Sequence, residues 1–204
     1  MTGPTVTPDE ALARLKQGNA DFLADATVPP IDHDRRMELA QAQAPFAVLV
    51  GCSDSRVSPT LLFGAGLGEV FVVRNAGNSI DDLALGSIEY GVLVLAAPLI
   101  VVLGHQRCGA VEAAVAAVRD GTVFPGSIGK VIEPVLPAVR SAEELGPEDH
   151  EAWVDAAIRE NVRRIVERLR HSEPSFGEAL QSGQLRIVGA EYSLDDGAVD
   201  FFLE

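Results

Sequence analysis

The stretch P-F-A-V-L-V-G-C-S-D-S-R, residues 45–56, decides the fold. Five apolar residues, 46–50, run into Gly51 and then into a polar, turn-forming tail that begins at Cys52. An apolar run of this length without polar alternation reads as a strand buried on both faces, the habit of parallel sheets. The same pattern recurs in P-L-I-V-V-L-G-H-Q-R-C-G, residues 98–109, where 99–103 lead to His105 and Cys108. Open α/β sheets gather their ligands beyond the carboxyl ends of their strands. Cys52, His105 and Cys108 are therefore expected to converge on one point.

Working outward, residues 70–74 and 184–189 read as two further strands. Helices fit at 35–43, at 83–95, at 110–119 ending at Gly121, and at 151–170, where Ile158, Val162, Ile165 and Leu169 form an apolar stripe. Thr7, Pro8 and Asp9 look like a helix start. Ala11, Leu12, Leu15, Phe22 and Leu23 then keep approximate helical spacing, so the chain should begin with an amphipathic arm. Residues 26–34 turn polar and carry prolines, which suggests a surface crossing. Y-S-L-D-D-G-A-V-D-F-F near the end reads as a hairpin turning near Asp196 and Gly197. The fold class predicted is α/β: a mostly parallel sheet of about four parallel strands plus a C-terminal antiparallel strand, flanked by helices. One domain is expected over 1–204, with 1–34 as its N-terminal arm.

Sixteen Lys and Arg stand against thirty Asp and Glu, a formal charge of −14, and the basic residues are scattered. Nucleic acid and anionic membranes are poor partners for such a surface. The longest apolar stretch, 92–103, contains Pro98 and falls short of the roughly 20 residues that a membrane span needs. The first ten residues lack the basic and apolar regions of a signal peptide. A cytoplasmic address is expected, where thiols stay reduced and a cysteine pair suits a metal better than a disulfide.

Cys52 and Cys108 are the only cysteines. Either alone could be a small buried hydrophobe. Both, however, stand beside polar residues at strand ends, with His105 three residues before Cys108. Two thiolates and one imidazole form the ligand set of a zinc site that keeps its fourth position open, the catalytic arrangement. Asp54 and Arg56 are two residues apart in the first of these loops. They could be a surface ion pair of small value. Beside a metal, Arg56 could instead hold Asp54 ionised and aim it at metal-bound water. D-H-D at 32–34, His150 and His171 read as solvated, and G-A-G-L-G at 64–68 reads as a turn, since it does not match a dinucleotide fingerprint.

C-S-D-S-R, then R-N-A-G-N at 74–78, S-I-E-Y-G-V at 87–92, V-L-G-H-Q-R-C-G-A at 102–110 and G-A-E-Y-S-L-D-D-G near the end occur in that order. With these motifs the chain resembles the β-class carbonic anhydrases over nearly its whole length. The resemblance implies one zinc ion per chain on Cys52, His105 and Cys108, with Asp54 and Arg56 as the dyad beside it and Asp54 able to become a fourth ligand in a closed state. It implies Gln43 as a hydrogen-bond donor to substrate, Phe71 and Tyr90 as walls of an apolar pocket, and Gly109 as a further substrate-contacting residue. In that family the pocket is completed across a dimer interface that the N-terminal helix embraces, so a homodimer or a homotetramer is expected. The implied reaction is hydration of carbon dioxide to bicarbonate and a proton by zinc-bound hydroxide. Carbonyl sulfide or carbon disulfide hydrolysis on the same scaffold is the alternative, and a non-catalytic zinc module with Asp54 as permanent ligand is a third reading. One subgroup carries a Trp three residues before its first Cys ligand, which forms a regulatory bicarbonate pocket. Leu49 occupies that position here, so such regulation is not expected.

Overall fold

A computed structural model of the chain describes residues 6–26, 32–171 and 174–204. Five strands make one sheet in the order β2-β1-β3-β4-β5. They are β1 Ala47–Cys52, β2 Val70–Asn75, β3 Leu99–His105, β4 Arg186–Tyr192 and β5 Val199–Leu203. The first four run parallel and β5 is antiparallel to β4, as the sequence predicts. Each parallel strand continues past the point where its apolar run stops. The ladder pairs Gly51 with Arg74 and Cys52 with Asn75, and on the other side Gly104 with Glu191 and His105 with Tyr192. Backbone hydrogen bonds need no particular side chain, so the pairing outlasts the hydrophobic pattern. Cys52 and His105 thus end strands and do not float in loops.

Both faces of the central strands are buried, as the apolar runs imply. Leu49, Val101 and Val188 join one core with Leu12 and Leu15, whereas Val48, Val50, Ile100, Val102 and Ile187 face another with Ile88, Val162, Val166 and Leu169. On that second face lies the long helix α8, His150–His171, with Ile158, Val162, Ile165 and Leu169 all buried. The first core holds α1, Pro8–Leu23, which starts with a capping box between Thr7 and Glu10.

The arm packs on its own chain: Ala11 and Leu15 are fully buried, and a Cβ placed on Gly18 would fall 1.9 Å from the Phe63 carbonyl oxygen. Only glycine permits that approach, so α1 belongs to the fold of its own chain. Two helices differ from expectation. The expected helix at 35–43 is α2, His33–Leu39, capped by the Asp32 carboxylate on the Arg35 N–H. It stops early because A-Q-A-Q-A-P has nothing apolar to bury and Pro45 biases the preceding residue towards extended geometry. The expected helix at 83–95 is regular only as α4, Asp82–Glu89, and widens to a π-helical turn over Tyr90–Val94. Residues 27–31 of the expected crossing lie outside the described residues.

The elements not foreseen are α3 Pro59–Leu62, α6 Ser127–Ile132, α7 Leu136–Glu144 and α9 Gly177–Gln181, which join α5 Gly109–Asp120 to complete the helices. Residues 127–144 carry Pro134 and Pro137 within a helical stretch. Both sit in the first turn of their segments, where a missing N–H costs nothing.

Candidate metal centre

Adjacent parallel strands deliver two of the three ligands. Cys52 ends β1, His105 ends β3, and the loop of Gln106 and Arg107 returns Cys108 to the residue before α5. All three side chains are buried, and their ligand atoms lie within 4.8 Å of one another. The sulfurs stand 3.9 Å apart. Two zinc–sulfur bonds of about 2.3 Å at a tetrahedral angle require roughly 3.8 Å. His105 supplies a second test of fit. Its Nδ1 lies 2.8 Å from the carbonyl oxygen of Gln106, which can only accept, so Nδ1 carries the proton and Nε2 keeps a free lone pair. That Nε2 is buried and finds no hydrogen-bond partner among the described residues. An orphaned buried acceptor is costly. As a metal ligand, with its tautomer fixed by a carbonyl, the same nitrogen is ready to bind. The residues present fit zinc.

The surroundings favour thiolate over thiol. The Gly77 N–H donates to Cys52 Sγ at 3.4 Å. Sharing the Cys108 proton lowers the Cys52 thiol below its ordinary range, with the backbone N–H groups of Gly77 and Asp54 assisting against burial. The resulting charge, together with burial, pushes Cys108 up, partly offset by the N–H groups of Ala110 and Val111 at the start of α5. Two thiols this close titrate as a pair, and metal binding releases their protons.

Asp54 and Arg56 form a bidentate pair, Nε to Oδ1 at 3.0 Å and Nη2 to Oδ2 at 2.8 Å, and the Arg56 N–H adds a third bond to Oδ1 at 2.9 Å. Arg56 holds the Asp54 carboxyl well below the usual carboxylate range. The negative charge of the cysteine pair bears on Arg56, so the dyad lies in the field of the ligand set. With both oxygens engaged by Arg56, Asp54 is not arranged as a permanent fourth ligand. Arg74, which the sequence reading left inside a motif without a role, pins the loop: it donates to the carbonyls of Cys52, Asp54 and Val57 at 2.8, 2.8 and 2.7 Å. Gly77 was missed in the same way, because a role exercised through a backbone N–H leaves no side-chain signature.

Gly109 lies beside Cys108 as the first residue of α5. The other implied pocket residues are not gathered here. Gln43 precedes β1, whose length alone puts about 17 Å between Ala47 and Cys52. It lines a separate hollow with Arg14, Leu39 and Phe46. Phe71 pairs with Val48, four residues below Asn75 and so about 13 Å down the sheet from the level of Cys52. Tyr90 packs near it, ring centroids 6.2 Å apart. His33 and His171 are exposed, and His150 is paired with Glu112 at 2.9 Å and Arg119 at 3.1 Å on the surface. Residues 64–68 form a turn.

Comparison with known proteins agrees with the geometry. The family model described as carbonic anhydrase matches residues 47–199. A relative from Mycobacterium tuberculosis, carbonic anhydrase 2, is 46% identical over 195 residues, covering 95% of this chain and 92% of its own length. A carbonic anhydrase of Mycolicibacterium smegmatis is 43% identical, covering 97% and 94%. Among solved structures, the Coccomyxa β-carbonic anhydrase in complex with acetazolamide superposes with a TM-score of 0.72 at 29% identity, over 98% of this chain and 88% of that one. A tetrameric β-carbonic anhydrase from Sordaria macrospora gives 0.75 at 29% identity, over 82% and 85%.

Proposed function

Because the chain belongs to the β-class carbonic anhydrase family, we propose that Cys52, His105 and Cys108 hold one zinc ion and that Asp54 and Arg56 are its working dyad. The reaction is the reversible hydration of carbon dioxide to bicarbonate and a proton. The observation that carries the assignment is the bare, buried His105 Nε2 set against two sulfurs 3.9 Å apart. Zinc bound there supplies a Lewis acid that makes water nucleophilic near neutral pH. The chain's own residues do the rest. Asp54, kept ionised by Arg56, would accept a hydrogen bond from the attacking water and so fix where its lone pair points. Arg74 holds the loop carbonyls so that this aim survives thermal motion. A cytoplasmic setting keeps both thiols reduced. The sulfur-analogue hydrolase reading is not favoured, since the relatives described above are carbonic anhydrases.

Gln43, Phe71 and Tyr90 act, in this reading, from a second copy of the chain. Phe71 lies towards the far end of β2 from its own metal site by the ladder register, Tyr90 packs near it, and Gln43 precedes β1. β2 is an edge strand, and in the segment 67–94 that contains it Leu67, Val72, Leu83, Tyr90, Leu93 and Val94 leave apolar side chains exposed. Such a surface suits an interface. A partner's Gln43-type amide would then donate to the substrate oxygen where charge develops.

Stopped-flow hydration of carbon dioxide by zinc-replete protein tests the reaction, with carbonyl sulfide hydrolysis on the same preparation. Mixing tests the shared pocket. Gln43→Ala and Cys108→Ser chains, each inactive alone, should regain activity together, because a mixed dimer contains one intact pocket. Absence of hydration by fully loaded protein would refute the first reading, and absence of complementation the second.

A further inference from the structure

Arg107 stands between His105 and Cys108 with φ 51°, a left-handed conformation that L residues other than Asn and Asp avoid. Its side chain indicates what holds it there. Nη2 and Nη1 donate to Oδ1 and Oδ2 of Asp195 at 2.7 and 3.2 Å. Asp195 is a firm anchor. In its turn Ser193 Oγ accepts from the N–H groups of Asp195 and Asp196, and Asp196 Oδ1 accepts from Ala198. Asn19 of α1, almost wholly buried, grips the same turn, donating to the Gly197 carbonyl at 3.0 Å and accepting from Val199 N–H at 2.9 Å. Gln106 adds a second tie, its N–H to the Tyr192 carbonyl and its Oε1 to the Leu194 N–H.

The consequence falls on the dyad. In this conformation the Arg107 carbonyl faces Arg56, whose Nη2 donates to it at 3.2 Å while also donating to Asp54 Oδ2 at 2.8 Å. Arg56 is thereby held at two points, by the carboxylate it serves and by the loop that carries two ligands. Asp195 also offsets the like charge of Arg56 on Arg107. For stability the Arg107–Asp195 pair counts for little, since both side chains are exposed, 44% and 66%.

We propose that Arg107 and Asp195 are positioning residues: their clamp fixes the Arg107 carbonyl and, through it, the Arg56 guanidinium that aims Asp54. This rests on the carbonic anhydrase reading. The test uses full-length, metal-loaded protein as Asp195→Asn, Arg107→Lys and the exchange variant Arg107→Asp with Asp195→Arg. Asp120→Asn serves as control, since Arg119–Asp120 is a comparably exposed pair on α5. Hydration kinetics, zinc content and thermal midpoint are measured. Thiocyanate is titrated into cobalt-substituted protein by absorbance, which reports without turnover whether Asp54 is kept off the metal.

Asp195→Asn should lower kcat by about tenfold while KM stays within about twofold, because the loss is one of aim and not of binding. Thiocyanate should bind about tenfold more weakly, with zinc content unchanged and the thermal midpoint within about 2 °C. Arg107→Lys should fall between that variant and the parent, and the exchange variant should recover most of the lost kcat. Parental kcat and thiocyanate affinity in Asp195→Asn would overturn the proposal. So would a loss that accompanies zinc release or a lowered thermal midpoint, or one that the exchange does not restore. A parent protein that fails to hydrate carbon dioxide removes the enzymatic reading instead, and the thiocyanate titration still decides on the clamp.

Discussion

Replacing Gly77 by alanine asks whether the turn after β2 is built to serve Cys52. Gly77 has φ 71°, gives its N–H to Cys52 Sγ at 3.4 Å, and accepts Asn161 Nδ2 on its carbonyl at 3.0 Å. A Cβ at this position would stand 3.0 Å from Ala110 Cβ and 3.5 Å from Val135 Cγ2. The first of these contacts is anchored to the α5 backbone and cannot rotate away. The left-handed conformation costs an L residue about 1–2 kcal/mol. Weakening the buried Asn161 bond costs about 1 kcal/mol more, for a total of roughly 2–3 kcal/mol. In a chain of 204 residues that lowers the thermal midpoint by about 4–12 °C. Displacing the N–H also removes a donor from the thiolate, so zinc affinity should fall by about tenfold. Calorimetry at one fixed protein concentration reads the first effect, and competition for zinc against a chelator reads the second. Gly77→Asn should recover part of the stability, since Asn tolerates this region of backbone space, while keeping the steric contact. An alanine variant with a thermal midpoint within about 1 °C of the parent and unchanged zinc affinity would refute the reasoning.

Cys108→Ser should abolish metal and activity together, and full zinc occupancy in a Cys52→Ala, Cys108→Ala double variant, measured by atomic absorption, would remove the metal centre. Activity should rise with pH through about 7 to 8.5, because two thiolates donate charge and leave zinc a weaker acidifier of water than an all-histidine site. Asp54 does not contribute to that rise: Arg56 lowers its folded pKa, so the stabilisation from this pair is complete above an unfolded value of about 3.9 and is lost only as pH falls below it. Asp54→Asn should therefore keep zinc, lose rate across the range, and retain the pH midpoint of the parent; a flat parental profile from pH 6 to 9 would contradict this account. Bicarbonate should behave as product or simple competitor, since Leu49 is fully buried in one apolar core and the one tryptophan, Trp153, packs in another, bonded to the Val139 carbonyl. Sigmoidal inactivation in a bicarbonate titration at constant ionic strength would show otherwise.

Uninterrupted apolar runs such as 46–50 and 99–103 can satisfy their burial only as central strands, and a polar, glycine-led exit from each places its next residues at one sheet edge. For that reason the parallel sheet, the antiparallel last strand and the meeting of Cys52, His105 and Cys108 were all legible in the chain. The pairing of Asp54 with Arg56 was legible too, being a contact between residues two apart in one loop. These are local or periodic properties, and local properties are written in order along a sequence.

What only the tertiary structure decided concerns contacts between distant segments. An amphipathic helix looks the same whether its apolar face meets its own sheet or another chain, and the burial of Leu15, the bonds of Asn19 and the close passage of Gly18 over Phe63 show that α1 docks at home. Gln43, Phe71 and Tyr90 carry no mark of distance from the ligands; the strand register sets Phe71 towards the other end of the sheet, Tyr90 packs near it, and Gln43 precedes β1. Arg74, Gly77 and Asp195 are tied to the ligand loops through backbone carbonyls, a backbone N–H and an ion pair spanning 88 residues. Backbone groups are identical in every residue but proline, so a role that depends on them becomes visible only when the fold has brought the partners together.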